Sequence, residues 1–200
     1  MRDHWDLVYS NKNSDEVSWT QEIPKISLEL IECLNLPKDA KVIDVGGGDS
    51  RLIDELLALG YSDVTVLDIS WVALEKVKAR LGNTSKKVKW IVSDINEFQP
   101  VEKYDLWHDR AVFHFLTSEK EKVDYLNLVN KHVIRSLVIG AFSEKDPLKC
   151  SGLAVQQYSS SSLEQFFYPS FENKLMKKEI HNTPFKTTQE FVFGVFQNVK

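Results

Sequence analysis

VIDVGGGDSRL, Val42 to Leu52, decides how the 200-residue chain is read. Val42, Ile43 and Val45 form an apolar β-type run broken only by Asp44. Three glycines follow, and "SRLIDELLALG" then carries apolar residues at helical spacing. Strand, glycine turn and helix in that order predict a βα unit, the opening of an α/β fold with its ligand at the turn. Gly46 and Gly48 can take positive φ and let the backbone approach a ligand, while the free N–H groups of the next helix favour an anionic group. Glycines also serve tight βα turns that hold nothing, so the turn alone leaves both readings open.

The rest of the chain repeats the alternation. "EIPKISLELIECLNL" predicts a helix ahead of the strand "KVIDV", with Pro24 in its first turn. "DVTVLDI" predicts a second strand and "SWVALEKVKARLG" a helix capped by Ser70 and stopped by Gly82. "KVKWIVSDI" and "KYDLWHDRAVF" predict strands three and four, "SEKEKVDYLNLVNKHV" a helix capped by Ser118, and "SLVIGAFS" strand five. The serine run "YSSSSLEQFF" predicts a loop and then a helix capped by Ser162 or a neighbour. Two β-type runs joined by the turn "NTPF" close the sheet with an antiparallel hairpin. The expected fold class is α/β: one Rossmann-like doubly wound sheet, mostly parallel, in a single domain over residues 1–200.

Composition narrows the partners. A 42% apolar and 27% charged chain can bury a core, and a net charge of -4 gives no footprint for nucleic acid or an anionic membrane. Cys33 and Cys150 form neither a disulfide framework nor a CxxC metal pair and read as free thiols in a reducing compartment. The charged N-terminus lacks a signal-peptide core, and no apolar run reaches membrane-span length, so a cytoplasmic location is expected.

Ligand classes separate at the turn. A dinucleotide fingerprint needs a small residue at position 51, where this chain has Arg51, which disfavours NAD and an oxidoreductase. A phosphate-binding P-loop needs a Gly-Lys pair, and the chain has none. What remains is Asp44 before the glycines, Asp68 ending the second strand and Asp94 ending the third. Asp68 follows Gly48 at the interval at which an acid accepts two ribose hydroxyls, although a helix cap would also use it.

In order and spacing, "VIDVGGGDSRL", "VTVLDIS", "VKWIVSDI" and "YDLWHDRAVFHFL" resemble the motifs of class I S-adenosylmethionine-dependent methyltransferases, whose seven-stranded sheet matches the predicted order. "HWDLVYSNKNSDEVSWTQ" is similar to a segment preceding the fold in a subgroup that includes protein-lysine methyltransferases and many uncharacterised bacterial proteins. The resemblance implies S-adenosylmethionine as cofactor. Gly46, Gly47, Gly48 and Asp49 would wrap its methionine part and Asp44 would lie near its ammonium. Asp68 would hold the ribose, Ile69 would pack on the adenine, and Asp94 with Ile95 would meet the adenine's amino edge. Ser50 departs from the family's third glycine, and the family's Pro-Gly-Gly turn before strand five is missing.

Other residues carry two readings each. Trp5, Tyr9 and Trp19 lie in a polar segment, residues 1–22, that cannot bury them alone; they either pack on the domain or cover the cofactor, and Trp19 is carried as a cofactor contact. The Lys and Arg residues from Lys76 to Lys89 read as a solvated face, Cys150 as an inert thiol, and His4 and His181 as surface residues. His108, Asp109 and Arg110 are charged or titratable residues at the end of a buried strand, expected to face a ligand or to form an ion pair that orders the fold. Asp109, Arg110 and His114 are the catalytic candidates, His114 as proton acceptor or as a packed core histidine. No metal site is expected, since His108 and His114 lack helical ligand spacing. The expected function is methyl transfer by in-line displacement to an N, O or S nucleophile on a small molecule or a protein lysine, the rival being a non-catalytic S-adenosylmethionine-binding module or scaffold. Oligomeric state has no signature in the sequence.

Overall fold

A computed structural model describes residues 1–199. Five parallel strands occur: β1 Lys41–Val45, β2 Asp63–Asp68, β3 Val88–Val92, β4 Tyr104–Arg110 and β5 Val133–Phe142. With α1 Arg2–Asn11 and α2 Lys25–Cys33 preceding them, they alternate with α3 Leu52–Ala58, α4 Trp71–Leu81 and α5 Glu119–His132. A two-residue ribbon follows, β6 Lys149–Cys150 with β7 Leu153–Ala154. Then come α6 Ser160–Phe167 and the long hairpin β8 Phe171–Asn182 and β9 Thr188–Asn198. The main sheet runs β3-β2-β1-β4-β5-β9-β8, with β9 antiparallel to both neighbours. The chain winds outward from β1 through β3, then returns to lay β4 on the other side of β1. The order therefore reverses between β1 and β4, where such sheets open a crevice at the strands' carboxyl ends.

Period-two alternation builds two cores. Val42, Leu106 and Val138 face α2, α3 and α4, packing with Leu30, Leu56 and Leu74. Ile43, Trp107 and Ile139 face the opposite side, against Tyr125 and Val129 of α5 and Leu163 and Phe167 of α6. Both faces are covered, which explains why the parallel strands read as near-continuous apolar runs.

Local signals hold where the chemistry is local. Ser70 Oγ accepts from Ala73 N at 3.2 Å, Gly82 takes φ 56° beyond α4, and Ser118 with Glu121 forms a reciprocal capping box on α5. Three details go beyond the expected elements. Within the serine run the cap of α6 is Ser159, and Ser162 sits at the third helical position of that box. Strand five begins at Val133, directly after α5, so the missing Pro-Gly-Gly turn is replaced by no loop at all. The polar N-terminal segment, for which the sequence predicts no element, is helical over Arg2–Asn11, and Asp6 ties it to α4 by accepting from Ser70 Oγ at 2.5 Å. No helix among the described residues is long and apolar enough to cross a membrane.

Candidate active site

The crevice forms around the glycine turn. Gly46 N and Gly47 N both donate to Leu67 O, at 2.7 and 3.2 Å, folding the turn back onto the end of β2. Gly46 and Gly48 take φ of 68° and 50°, the left-handed region that side chains resist. Ser50 takes the place of the family's third glycine without positive φ, and its Oγ accepts from Leu52 N at 3.1 Å to start α3.

Asp68 closes the opposite wall. Its Oδ2 accepts from Gly48 N at 2.8 Å and its Oδ1 from Ser70 N at 2.7 Å. Ser70 itself caps α4, so Asp68 is not the helix cap, and each of its oxygens keeps a lone pair for another donor. Burial pushes its carboxyl up to about 7, with the two backbone donors pulling the other way. Asp49 accepts from Ser14 Oγ at 2.8 Å. Asp94 accepts from Asn96 N at 3.0 Å, and Ile69 and Ile95 stand half-buried along the same wall.

Asp44 is held from behind. His108 Nδ1 lies 2.7 Å from Asp44 Oδ1 and its Nε2 lies 2.9 Å from Ser27 Oγ, a buried chain joining β1, β4 and α2. Alternation on β4 turns His108 and Arg110 to the cleft and Asp109 to the other face. Asp109 is fully buried there, accepting from Val112 N at 2.9 Å, Phe113 N at 3.2 Å and Tyr125 OH at 2.7 Å. The expectation that Asp109 lines a site is therefore corrected: it secures the turn after β4 to α5.

His114 needs the same correction. It is fully buried, does not reach the cleft, and its Nδ1 accepts from Phe142 N at 3.2 Å. Burial, with the Arg110 charge assisting, pushes its pKa down to about 3, so it is a neutral core histidine and a poor proton acceptor. Arg110 does face the cleft. Its Nη1 donates to Trp19 O at 3.2 Å and its guanidinium lies 4.7 Å from the centre of the Phe191 ring. Burial lowers its pKa to about 10, which leaves it cationic.

The N-terminal segment roofs the cleft. Trp5 sits 5.7 Å from Trp19 and 5.5 Å from Phe115, and Tyr9 sits 6.0 Å from Trp19, all lining the cavity as a packed aromatic group. Residues 18–21 are pinned to the terminal hairpin: His181 Nε2 donates to Ser18 O at 2.7 Å and Gln21 Nε2 to Glu179 Oε1 at 3.3 Å. His181 is thus buried and structural, not a surface residue. Cys150 lines the same cavity, and burial pushes its thiol up to about 11, leaving it protonated.

Arg80 was expected on a solvated face. It instead clamps the glycine turn, donating to Asp49 O at 3.0 Å and Ser50 O at 2.7 Å while paired with Asp54 at 2.6 Å. The i to i+26 separation of that pair leaves no trace in any local pattern.

A profile described as "Methyltransferase domain" matches residues 42–133, the stretch from β1 to the start of β5. The chain is 26% identical over 125 residues to the eEF1A lysine and N-terminal methyltransferase of Mus musculus, covering 60% of this chain and 17% of that protein. It is 33% identical over 84 residues to malonyl-[acyl-carrier protein] O-methyltransferase of Anoxybacillus flavithermus, covering 41% of this chain and 31% of that protein. The chain thus spans less than a third of the length of either relative. Among solved structures, N-methyltransferase NodS from Bradyrhizobium japonicum, in complex with S-adenosyl-L-homocysteine, superposes with a TM-score of 0.70 at 14% identity, over 98% of this chain and 100% of that one. At that identity the likeness speaks to the fold.

Proposed function

We propose, from the premise that this chain carries a class I methyltransferase domain, that its cleft binds S-adenosylmethionine and that the protein transfers the methyl group to a nucleophilic N, O or S atom by in-line displacement. One observation carries the reading. Three acids, Asp44, Asp68 and Asp94, gather at the ends of β1, β2 and β3 around a turn that only glycine can make. The cofactor's donor groups, an ammonium, a ribose diol and an exocyclic amine, ask for acceptors in such a row. When bound, the cofactor supplies an electrophilic sulfonium methyl.

The chain's own residues bind, orient and exclude water. Asp68, with a free lone pair on each oxygen, accepts the two ribose hydroxyls. Asp44, fixed by His108, faces the ammonium. Gly46, Gly47, Gly48 and Asp49 follow the methionine part, while Ile69, Asp94 and Ile95 take the adenine. Trp19, with Trp5 and Tyr9, closes residues 1–22 over the bound cofactor within one domain spanning residues 1–200. Excluding water there strengthens every polar contact inside and aligns the two reactants, the main source of rate in a direct displacement. Arg110 stands on the side where the methyl acceptor would enter. The acceptor is either a small molecule or a protein lysine.

Calorimetric titration of S-adenosylmethionine, S-adenosylhomocysteine and NAD into the wild type and Asp68→Ala tests this. The expected result is micromolar binding of the two sulfur ligands, weakened roughly tenfold or more by the substitution, about 1.4 kcal/mol, with no binding of NAD. Absence of binding to the wild type would overturn the proposal. Binding without transfer to any acceptor would favour a non-catalytic module.

A further inference from the structure

The guanidinium of Arg110 is only partly used. Its Nη1 donates to Trp19 O, whereas Nε and Nη2 are buried without a hydrogen-bond partner. Those two nitrogens are the adjacent pair on one edge of the guanidinium plane, the edge that grips both oxygens of a carboxylate at once. Buried donors left unmatched are costly, and charged ones more so, which marks them as groups awaiting a ligand. No carboxylate among the described residues lies within ion-pair distance of Arg110.

The position of this edge separates it from the cofactor. The glycine turn, Asp68 and Asp94 belong to β1, β2 and β3, on one side of the switch point. Arg110 ends β4 on the other side, stacked over Phe191 of β9 and beside residues 19–21, which are pinned to β8. Gln21 Oε1 and Thr20 Oγ1, also buried, unpartnered and on the cavity wall, add polar atoms to the same half. Glu179 and Asp44 are the acids whose fields reach Arg110, neither within ion-pair distance, while His181, its pKa lowered by burial, also feels its charge and Cys150 and His114 are neutral.

We infer that the second half of the cleft is a carboxylate-binding subsite in which the Nε and Nη2 edge of Arg110 holds the methyl acceptor through a carboxylate. The inference rests on the methyltransferase reading for the word acceptor, and on the geometry of Arg110 alone for the carboxylate. It favours a small carboxylic acid over a lysine side chain, whose ammonium the guanidinium would repel.

The test follows the Arg110 Nε–H resonance by nitrogen-edited NMR of the whole chain, assigned by its loss in Arg110→Lys. Benzoate is the probe and benzamide its uncharged counterpart, each titrated with and without saturating S-adenosylhomocysteine. The expected result is a saturable benzoate-dependent shift of this resonance, no shift with benzamide, and S-adenosylhomocysteine affinity within twofold of wild type in Arg110→Gln. No benzoate shift, or an equal one from benzamide, overturns the subsite. A tenfold loss of S-adenosylhomocysteine affinity in Arg110→Gln, with 5′-methylthioadenosine affinity unchanged, also overturns it, because the edge would then hold the cofactor's own carboxylate. Failure of the wild type to bind S-adenosylhomocysteine would instead sink the methyltransferase reading, and the benzoate titration without it still decides the subsite.

Discussion

His108 Nδ1 stands 2.7 Å from Asp44 Oδ1, and the other nitrogen of the same ring reaches Ser27 Oγ at 2.9 Å. All three side chains are buried, and the histidine supplies the partner that a buried carboxylate under the glycine turn needs. Replacing it with Phe removes the side-chain partner of Asp44. The expected cost is about 3 kcal/mol of folding stability, since breaking a buried pair leaves the remaining charge uncompensated. Ser27→Ala removes one neutral contact and should cost about 1 kcal/mol. Urea denaturation of the two variants checks the ratio, and similar losses for both would mean that the histidine supports packing rather than Asp44.

Asp68 sets a pH dependence. Its carboxyl titrates near 7 because burial disfavours the ionised form, and the proposed ribose contact needs that ionised form as acceptor. Cofactor binding therefore releases a proton below that pH. Affinity should be flat above about pH 7 and fall roughly tenfold for each unit below it, the slope of one coupled proton. The effect on folding has the opposite sign. A native pKa above the unfolded value of about 3.9 means that the free protein loses stability as pH rises from about 4 to about 7. Calorimetry from pH 5.5 to 8, approximately the window these values span, should show the slope in the wild type and lose it in Asp68→Asn. A flat wild-type profile would remove Asp68 from the cofactor contact.

Asp109 should behave as a structural acid. It accepts from two backbone N–H groups and from Tyr125 OH, and Asp109→Ala leaves all three donors buried without an acceptor. The expected loss is about 3 kcal/mol, summed over partners that each cost about 1 kcal/mol, while Tyr125→Phe, which also strands the Trp107 Nε1–H donor, costs about 2 kcal/mol. S-adenosylmethionine affinity measured where the variant remains folded should change little. A large affinity loss without a stability loss would return Asp109 to the site.

The contrast between Asp109 and its neighbours shows what the sequence could disclose. β1 to β5 and the glycine turn were legible because apolar runs, caps and left-handed positions are set by neighbours in the chain: Ser70, Ser118 and Gly82 act within four residues. The acids at the strand ends were legible through motif order. His108, Asp109 and Arg110 were visible as unusual, but a strand buried on both faces gives no apolar-polar alternation to say which side each one meets. Arg80 was misread because its partners lie 26 to 31 residues away. α1 was missed because its sequence, mostly polar and charged, buries only Tyr9 and needs the docking of Asp6 on α4.

Gly48 and Tyr9 give the sharpest test of the roof over the cleft. Gly48 takes φ 50°, and a Cβ built there would overlap the Tyr9 hydroxyl. Gly60 takes φ 90° with nothing within 4 Å of the same construction, so Gly60→Ala measures backbone strain alone, about 1 kcal/mol. Gly48→Ala carries that strain and must also displace Tyr9, hence residues 1–22 from the glycine turn. It should cost more stability than Gly60→Ala and weaken S-adenosylmethionine binding roughly tenfold, or ~1.4 kcal/mol, whereas Gly60→Ala leaves affinity unchanged. Tyr9→Phe removes the overlapping oxygen and should recover part of the loss in the double variant, a non-additivity expected only of side chains in contact. Additive losses in the cycle, measured by calorimetry and urea denaturation together, would show that α1 does not rest on the turn in solution.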